Sequence, residues 1–320
     1  MQGDPDEGFL IKGIKEGFSL IDETIEIENI QNVEENNYKS AVSSENKSKV
    51  EKQLINEILE GNYRFVNEKP KIVSALGSVP KPQSDDIRII HDCSRPVGAS
   101  LNTYASLDKE KYQSVDEAVK LSKPNCYYAK IDLKSAYRSV TIHPSNFDLT
   151  GIKWVFEGEQ DPRYLVDTKL PFGARKSPAI FHRLTQSVRR MMAGKGFNSV
   201  IVYLDDFLVI GDTKAECQLA FNTLLKLLRR LGFYINWKKV VDPTQSIIFL
   251  GICLNSVDCQ IELPPDKCAD LMSDIKCFLG KKRASKKQLQ SLAGKLNWAC
   301  QAIRGGGERS FDEYLMPRTV

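Results

Sequence analysis

The run SVIVYLDDFLVIG over 199–211 constrains the fold most tightly. Two carboxylates, Asp205 and Asp206, interrupt a β-branched, apolar stretch that otherwise suits the inside of a sheet. Its length fits two short strands joined by a tight hairpin with both acids at the turn. A carboxylate stripped of water costs several kcal/mol unless a cation or strong donors answer it. The segment therefore calls for a metal ion, or else for a solvent-exposed acidic turn. Side chains of adjacent strand residues point to opposite faces, which makes Asp205 the expected main ligand. Asp132 lies near the end of a second apolar strand, CYYAKIDL over 126–133. Where the two strands are neighbours, three carboxylates converge on one sheet edge. Mg²⁺ takes one or two protein carboxylates and fills its octahedron with water and phosphate oxygens, so such a cluster suits phosphoryl transfer with two ions.

The rest of the chain supplies a frame for that edge. Ser114 and Glu117 form a capping-box signature for a helix toward Leu121. Stretches Ser139–His143 and Leu149–Phe156 read as a hairpin or sheet extension around Pro144–Asn146, and Ser177–Pro178 starts a helix with Ile180, Phe181, Leu184, Val188 and Met191 on one stripe. A further helix over Lys214–Leu231 stops at Gly232, followed by the strand-like FYINW and IIFLGICL (247–254). The order strand, helix, strand–turn–strand, helix, strand is that of a split βαβ sheet with two helices on one face. After Pro264–Pro265 the chain turns helical, with one segment over about 266–279 and a second opening at Ser285 with Gln288 as its capping partner and closing at Gly305–Gly307.

Charge is distributed unevenly. Residues 1–60 carry 14 Asp/Glu against 6 Lys and no Arg, while the remaining 260 residues carry 39 basic and 27 acidic side chains, a net of +12 that attracts a polyanion. Nucleic acid is the leading partner class, a solvated basic surface the bland one. The segment 1–60 is expected to be mostly flexible apart from a short helix over Lys49–Leu59. Eight cysteines without a CxxC pair and three isolated His argue against zinc. No stretch is long and apolar enough for a membrane helix and the amino terminus is acidic, so no membrane partner is expected and the chain reads as intracellular, cytoplasmic or nuclear.

Together IDLKSAY (131–137), LPFGARKSPAIF (170–181), YLDD (203–206), LGFYINWKK (231–239) and FLGICL (249–254) stand in the order and spacing of the reverse transcriptase palm motifs. From about Val73 to at least Leu254 the chain resembles a retroelement reverse transcriptase. The resemblance implies an α+β fold, a right-hand polymerase with fingers, a split βαβ (ferredoxin-like) palm and a helical thumb. It implies fingers and palm over 61–260, with a finger excursion at about 140–170, and a thumb or start of a connection over 261–320. It also implies two Mg²⁺ ions, with Mn²⁺ as the alternative, held by Asp132, Asp205 and Asp206. Tyr137 matches the aromatic residue that excludes a 2′-hydroxyl. Lys81 and Arg88 match the fingers cations that hold the triphosphate. Phe172, where some relatives carry Gln, and Gly173 line the nucleotide. Lys238 or Lys239 matches a proton donor to pyrophosphate, with Lys239 the choice, and Phe249, Leu250 and Gly251 match the primer grip. Partners are then an RNA or DNA template with its primer and deoxynucleoside triphosphates; the oligomeric state stays open. RIIHDCSRP and LQSLAGKLNWACQAIRGG look most like the DIRS-like elements, gypsy-like elements next. The rival readings are a catalytically inactive or domesticated nucleic-acid-binding remnant and an RNA-dependent RNA polymerase, against which Tyr137 and YLDD speak.

Overall fold

The computed structural model describes residues 3–22, 25, 31–81, 85–106, 110–304 and 307–310. The chain divides into two compact units, Met1–Glu110 with Ser135–Ser187, and Lys111–Lys134 with Val188–Val320. The mixture of helices and mostly antiparallel sheets is the α+β class that the resemblance implies. Among the described residues no helix is long and apolar enough to cross a membrane.

The second unit is built on a four-stranded sheet of Tyr127–Asp132, Val200–Tyr203, Asp206–Gly211 and Val241–Thr244. Counted along the chain, the strands lie in the order fourth, first, third, second, and every neighbouring pair is antiparallel. This is the split βαβ order expected from the sequence. The helix Lys214–Arg230 buries Cys217, Phe221, Leu224 and Leu228, each apolar side chain contributing about 1.5–3 kcal/mol on burial. It opens on a capping box between Thr213 and Glu216. The predicted fourth strand moves: FYINW forms a loop with a single bridge, Leu133 to Ile235, and the short helical turn Trp237–Lys239. Val241–Thr244 pairs instead, as an edge strand where Pro243 forfeits no interior ladder bond. Likewise IIFLGICL bends into a hairpin, Ser246–Phe249 with Ile252–Asn255, turning at Leu250–Gly251, both at positive φ (49° and 82°), as a two-residue turn of type I′ requires. Two helices follow, Pro265–Leu279 and Lys286–Ala299, the latter capped by Ser285 and Gln288 as the sequence indicates. It ends at Ala299, earlier than expected, and Gly305–Gly306 lie outside the described residues.

The first unit carries a hairpin of Ala75–Pro80 and Ile87–Asp92 and a five-stranded sheet including Tyr63–Val66, Gly151–Trp154 and Arg163–Asp167. The expected hairpin around Pro144–Asn146 is replaced by a 3₁₀ turn, Pro144–Leu149, and strand pairing starts only at Gly151. Residues 1–60 hold more order than their composition suggests. Helices Glu7–Glu16 and Lys47–Leu59 bury Leu10, Val50 and Leu54, and the backbone of Phe18 bonds to Thr141 and His143. Apolar anchors are sparse here because each helix buries only one narrow stripe.

Candidate active site

The acids gather at one end of the four-stranded sheet. The hairpin turn falls on Leu204–Asp205 and not on the two acids, since Tyr203 pairs with Asp206. Asp206 thus opens the returning strand, directly opposite Asp132 in register. Directly paired residues share a face, so strand geometry puts Asp206 on the face of Asp132, where simple alternation favoured Asp205. Asp205 stays beside them, its carbonyl accepting the Leu133 amide at 3.1 Å. The turn holds Leu204 at φ +52°, a left-handed conformation costing a non-glycine residue about 1–2 kcal/mol.

Asp132 is buried to 4% exposure and fully engaged: Asn236 Nδ2 donates to Oδ1 at 2.7 Å and Lys239 Nζ to Oδ2 at 3.0 Å. The Asn236 amide also bonds the Asp132 carbonyl, at 2.8 Å, so the LGFYINWKK loop is fastened to the strand end by side chain and backbone together. Of the two candidate lysines it is Lys239 that reaches the acid, and that hydrogen bond raises its pKa. The sequence signal for Asn236 is its NWKK context, directly after the apolar FYI.

Burial pushes Asp205 and Asp206 upward. For Asp206 the loss of hydration dominates, Lys130 opposes it, Asp205 and Asp132 add to it, and the carboxyl reaches about 6. Its Oδ1 is buried without a hydrogen-bond partner. Such an oxygen costs about 1–3 kcal/mol and is what a cation would relieve. The donor set, carboxylate oxygens only, suits a hard divalent ion. Among the described residues no three carboxylate, imidazole or thiol groups form a ready-made cation cluster, in keeping with Asp132 being held by Lys239 and Asn236.

A group raised from 3.8 to about 6 in the fold stabilises the folded chain below its ordinary pKa and loses that contribution as pH climbs through about 6. In chelator, Asp206→Asn is therefore expected to raise the unfolding midpoint at pH 7.5 and to have little effect at pH 4.5. Thermal melts of both proteins across that range check this, and equal midpoints at every pH would refute it.

The residues expected at the nucleotide lie in the first unit. Tyr137 is buried, its ring 5.0 Å from Phe172 and 5.4 Å from Phe181. Phe172 is 60% exposed. Lys81 and Arg88 sit on the Ala75–Pro80/Ile87–Asp92 hairpin and line one cavity, with Lys81 3.7 Å from Asp86. Gly173 has a packing reason of its own: a Cβ there would stand 2.0 Å from the His91 carbonyl oxygen. Of the expected primer grip, the Phe249 side chain is wholly buried in the core, and only the Leu250–Gly251 tip is part-exposed, with Trp298 Nε1 3.3 Å from the Leu250 carbonyl.

Residues 58–254 match the reverse transcriptase (RNA-dependent DNA polymerase) family. The Gag-Pol polyprotein of avian reticuloendotheliosis virus is 29% identical over 126 residues, 39% of this chain and 11% of that protein. The chain spans about a tenth of the length of such curated relatives. Among solved structures, a foamy viral protease-reverse transcriptase in complex with double-stranded DNA superposes at a TM-score of 0.68 with 20% identity, over 92% of this chain and 46% of that one. A foamy viral protease-reverse transcriptase with an RNA/DNA hybrid gives 0.65 and 20%, over 88% and 34%. The fold is that of a right-hand polymerase.

Proposed function

Because the chain belongs to the reverse transcriptase (RNA-dependent DNA polymerase) family, we propose that it is an RNA-directed DNA polymerase that joins deoxynucleotides to a primer 3′-hydroxyl and releases pyrophosphate. The observation that carries this reading is the in-register pair Asp132 and Asp206, with Asp205 adjacent and one Asp206 oxygen buried and unanswered. Asp132, Asp205 and Asp206 would hold two Mg²⁺ ions. When bound, such ions lower the pKa of the attacking hydroxyl and neutralise charge on the leaving pyrophosphate. The side chains position and release. Lys239 gives up Asp132 Oδ2, and its ammonium, kept protonated by the acids around it, becomes a proton donor to pyrophosphate. Lys81 and Arg88 hold the triphosphate, and the remaining rate comes from alignment. The proposed partners are a primed RNA or DNA template and deoxynucleoside triphosphates, in an intracellular retrotransposon setting, DIRS-like or gypsy-like. Fingers and palm over 61–260 and a thumb over 261–320 are part of the same proposal.

Primer extension on poly(rA)–oligo(dT), with Mg²⁺ and with EDTA, tests the reading. Metal-dependent extension supports it. Tight primer–template binding with no extension under any metal would favour the second reading, a nucleic-acid-binding remnant, for which the engagement of both Asp132 oxygens by Asn236 and Lys239 speaks.

Tyr137 wedged between Phe172 and Phe181 is a rigid wall. Replacing it with Ala is expected to narrow the preference for dTTP over UTP by about tenfold or more, since one misplaced group costs about 1–3 kcal/mol of discrimination. The ratio of the two incorporation efficiencies reads this directly; an unchanged ratio removes Tyr137 from sugar selection.

A further inference from the structure

Residues 217–241 hold five Lys/Arg and no Asp or Glu. Three of the cations, Lys226, Arg229 and Arg230, fall in the last half of the helix Lys214–Arg230 and are exposed, while Phe221, Leu224 and Leu228 on its other side are buried. Offsets of three and four residues make Lys226 a neighbour of both arginines on the helix surface, at about 5–6 Å between Cβ atoms. Together the three line a surface depression of about 330 Å³, and no carboxylate lines it with them. Among the described residues none of the three enters an ion pair or a side-chain hydrogen bond. The carbonyl end of a helix favours cations in its last turn, which accounts for Arg229 and Arg230. It does not account for Lys226 beside them, since like charges at these spacings repel. A bound anion would relieve that repulsion.

The patch lies on the far side of the sheet from the aspartates. Side chains alternate along the strand Asp206–Gly211, which sets Asp206 on one face and Phe207, Val209 and Gly211 on the other. A Cβ on Gly211 would stand 2.5 Å from the Cys217 amide nitrogen, and the Cys217 thiol lies 3.8 Å from the Val209 carbonyl oxygen. The helix therefore covers the face opposite Asp206 and its register partner Asp132, and an anion on its outer side is separate from the metal site. Guanidinium forks grip phosphate oxygens in pairs, and lysine adds a point charge. With its inner side committed to the sheet, the helix offers a convex surface that cannot enter a groove. A stiff duplex meets such a surface at about one phosphate, whereas an unpaired strand can fold its backbone over all three cations. We propose that the outer face of this helix is a docking surface for an unpaired strand of nucleic acid, held by its phosphates without regard to sequence. The surface needs nucleic acid as partner but not catalysis, so it is compatible with the polymerase reading and with the remnant alike.

The test is fluorescence anisotropy of a labelled oligo(dT) strand and of a labelled blunt-ended duplex, each titrated with the full chain in chelator across a salt series. The variant carries Lys226→Gln, Arg229→Gln and Arg230→Gln together. All three positions are exposed and glutamine is a comparable helix former, and a thermal melt confirms that the variant folds. Strand affinity is expected to fall about tenfold or more, with the slope of log K against log salt flattened by about 2, at roughly 0.7 per phosphate contact, while duplex affinity stays within about twofold. Unchanged strand affinity and slope would overturn the proposal. An equal loss for strand and duplex would also overturn it, since that is the mark of a general positive field. Displacement of the strand by polyglutamate as readily as by unlabelled oligo(dT) would make an acidic protein the partner and overturn it likewise. Primer extension by the same two proteins keeps the ideas apart. Extension with strand binding independent of the three cations removes the docking surface alone, whereas cation-dependent strand binding without extension by either protein removes the polymerase reading alone.

Discussion

Asp205→Asn is expected to lower single-nucleotide incorporation by on the order of 10³-fold or more while leaving folding and primer–template affinity near those of the parent chain. The argument is electrostatic: removing one preorganised charge that acts on the transition state costs about 10²–10³ in turnover, and a metal ligand orders an ion as well. Asn keeps the shape, and the backbone carbonyl that accepts the Leu133 amide is untouched, so the hairpin should survive. Burial already works against an ionised Asp205, hence the neutral amide is expected to be tolerated or slightly stabilising in the metal-free protein. Single-turnover extension, binding by fluorescence anisotropy and a melting curve separate the three quantities. Activity within tenfold of the parent would take Asp205 out of the metal site. Loss of activity together with a collapsed melting curve would show the residue to be structural.

The largest effect on stability is expected far from the aspartates, at Asp167. This carboxylate is fully buried, accepts from Arg138 Nη1 at 2.5 Å and from the Lys169 amide at 2.9 Å, and shares Arg138 with Glu57. Burial works against the Arg138 charge, yet the facing Asp167, Tyr63 and Glu57 outweigh it and hold the guanidinium protonated. Asp167→Asn would leave that charge with Glu57 alone and turn an amide toward it. Breaking a buried pair from one side costs about 3–5 kcal/mol. For a chain of this size that corresponds to a fall in the unfolding midpoint of the order of 10 °C. Glu57→Gln, at the wetter end of the same network, is expected to cost much less. Thermal melts of both variants decide it, and a loss below about 1 kcal/mol for Asp167→Asn would show that packing, not charge, holds this part of the sheet.

How much of this the sequence revealed depended on whether the signal was local. Ser114 with Glu117 and Ser285 with Gln288 announce helix starts within four residues, and the structure has both capping boxes. Thr213 and Glu216 carry the same pattern and form the capping box of the helix Lys214–Arg230. The paired acids stood out because charge in an apolar strand is costly, but their register did not: only pairing of Asp206 with both Tyr203 and Asp132 locates the turn. Val241–Thr244 was hidden by Pro243, a residue that demotes any strand reading although an edge position accommodates it. Long-range partners left no trace at all. Nothing in YRS or VDT says that Arg138 will meet Asp167, or that Asn236 will hold Asp132. The first 60 residues misled for a related reason, because burying a few side chains such as Leu10, Val50 and Leu54 leaves little periodicity to detect.

That amino-terminal segment bears on where a portable module begins. The family match opens at residue 58, but Phe18 exchanges backbone hydrogen bonds with Thr141 and His143, the Leu20 amide bonds Asn146 Oδ1 at 2.7 Å, and the Tyr38 amide bonds the Leu76 carbonyl at 2.8 Å. A cut at the edge of the recognisable motifs would sever each of these stitches and bare the surfaces that Leu20 and Leu54 cover. The stretch that carries the family motifs is therefore shorter than the stretch these contacts hold together, and recombination or cloning that respects only the former would cut through the packing around Leu20 and Leu54.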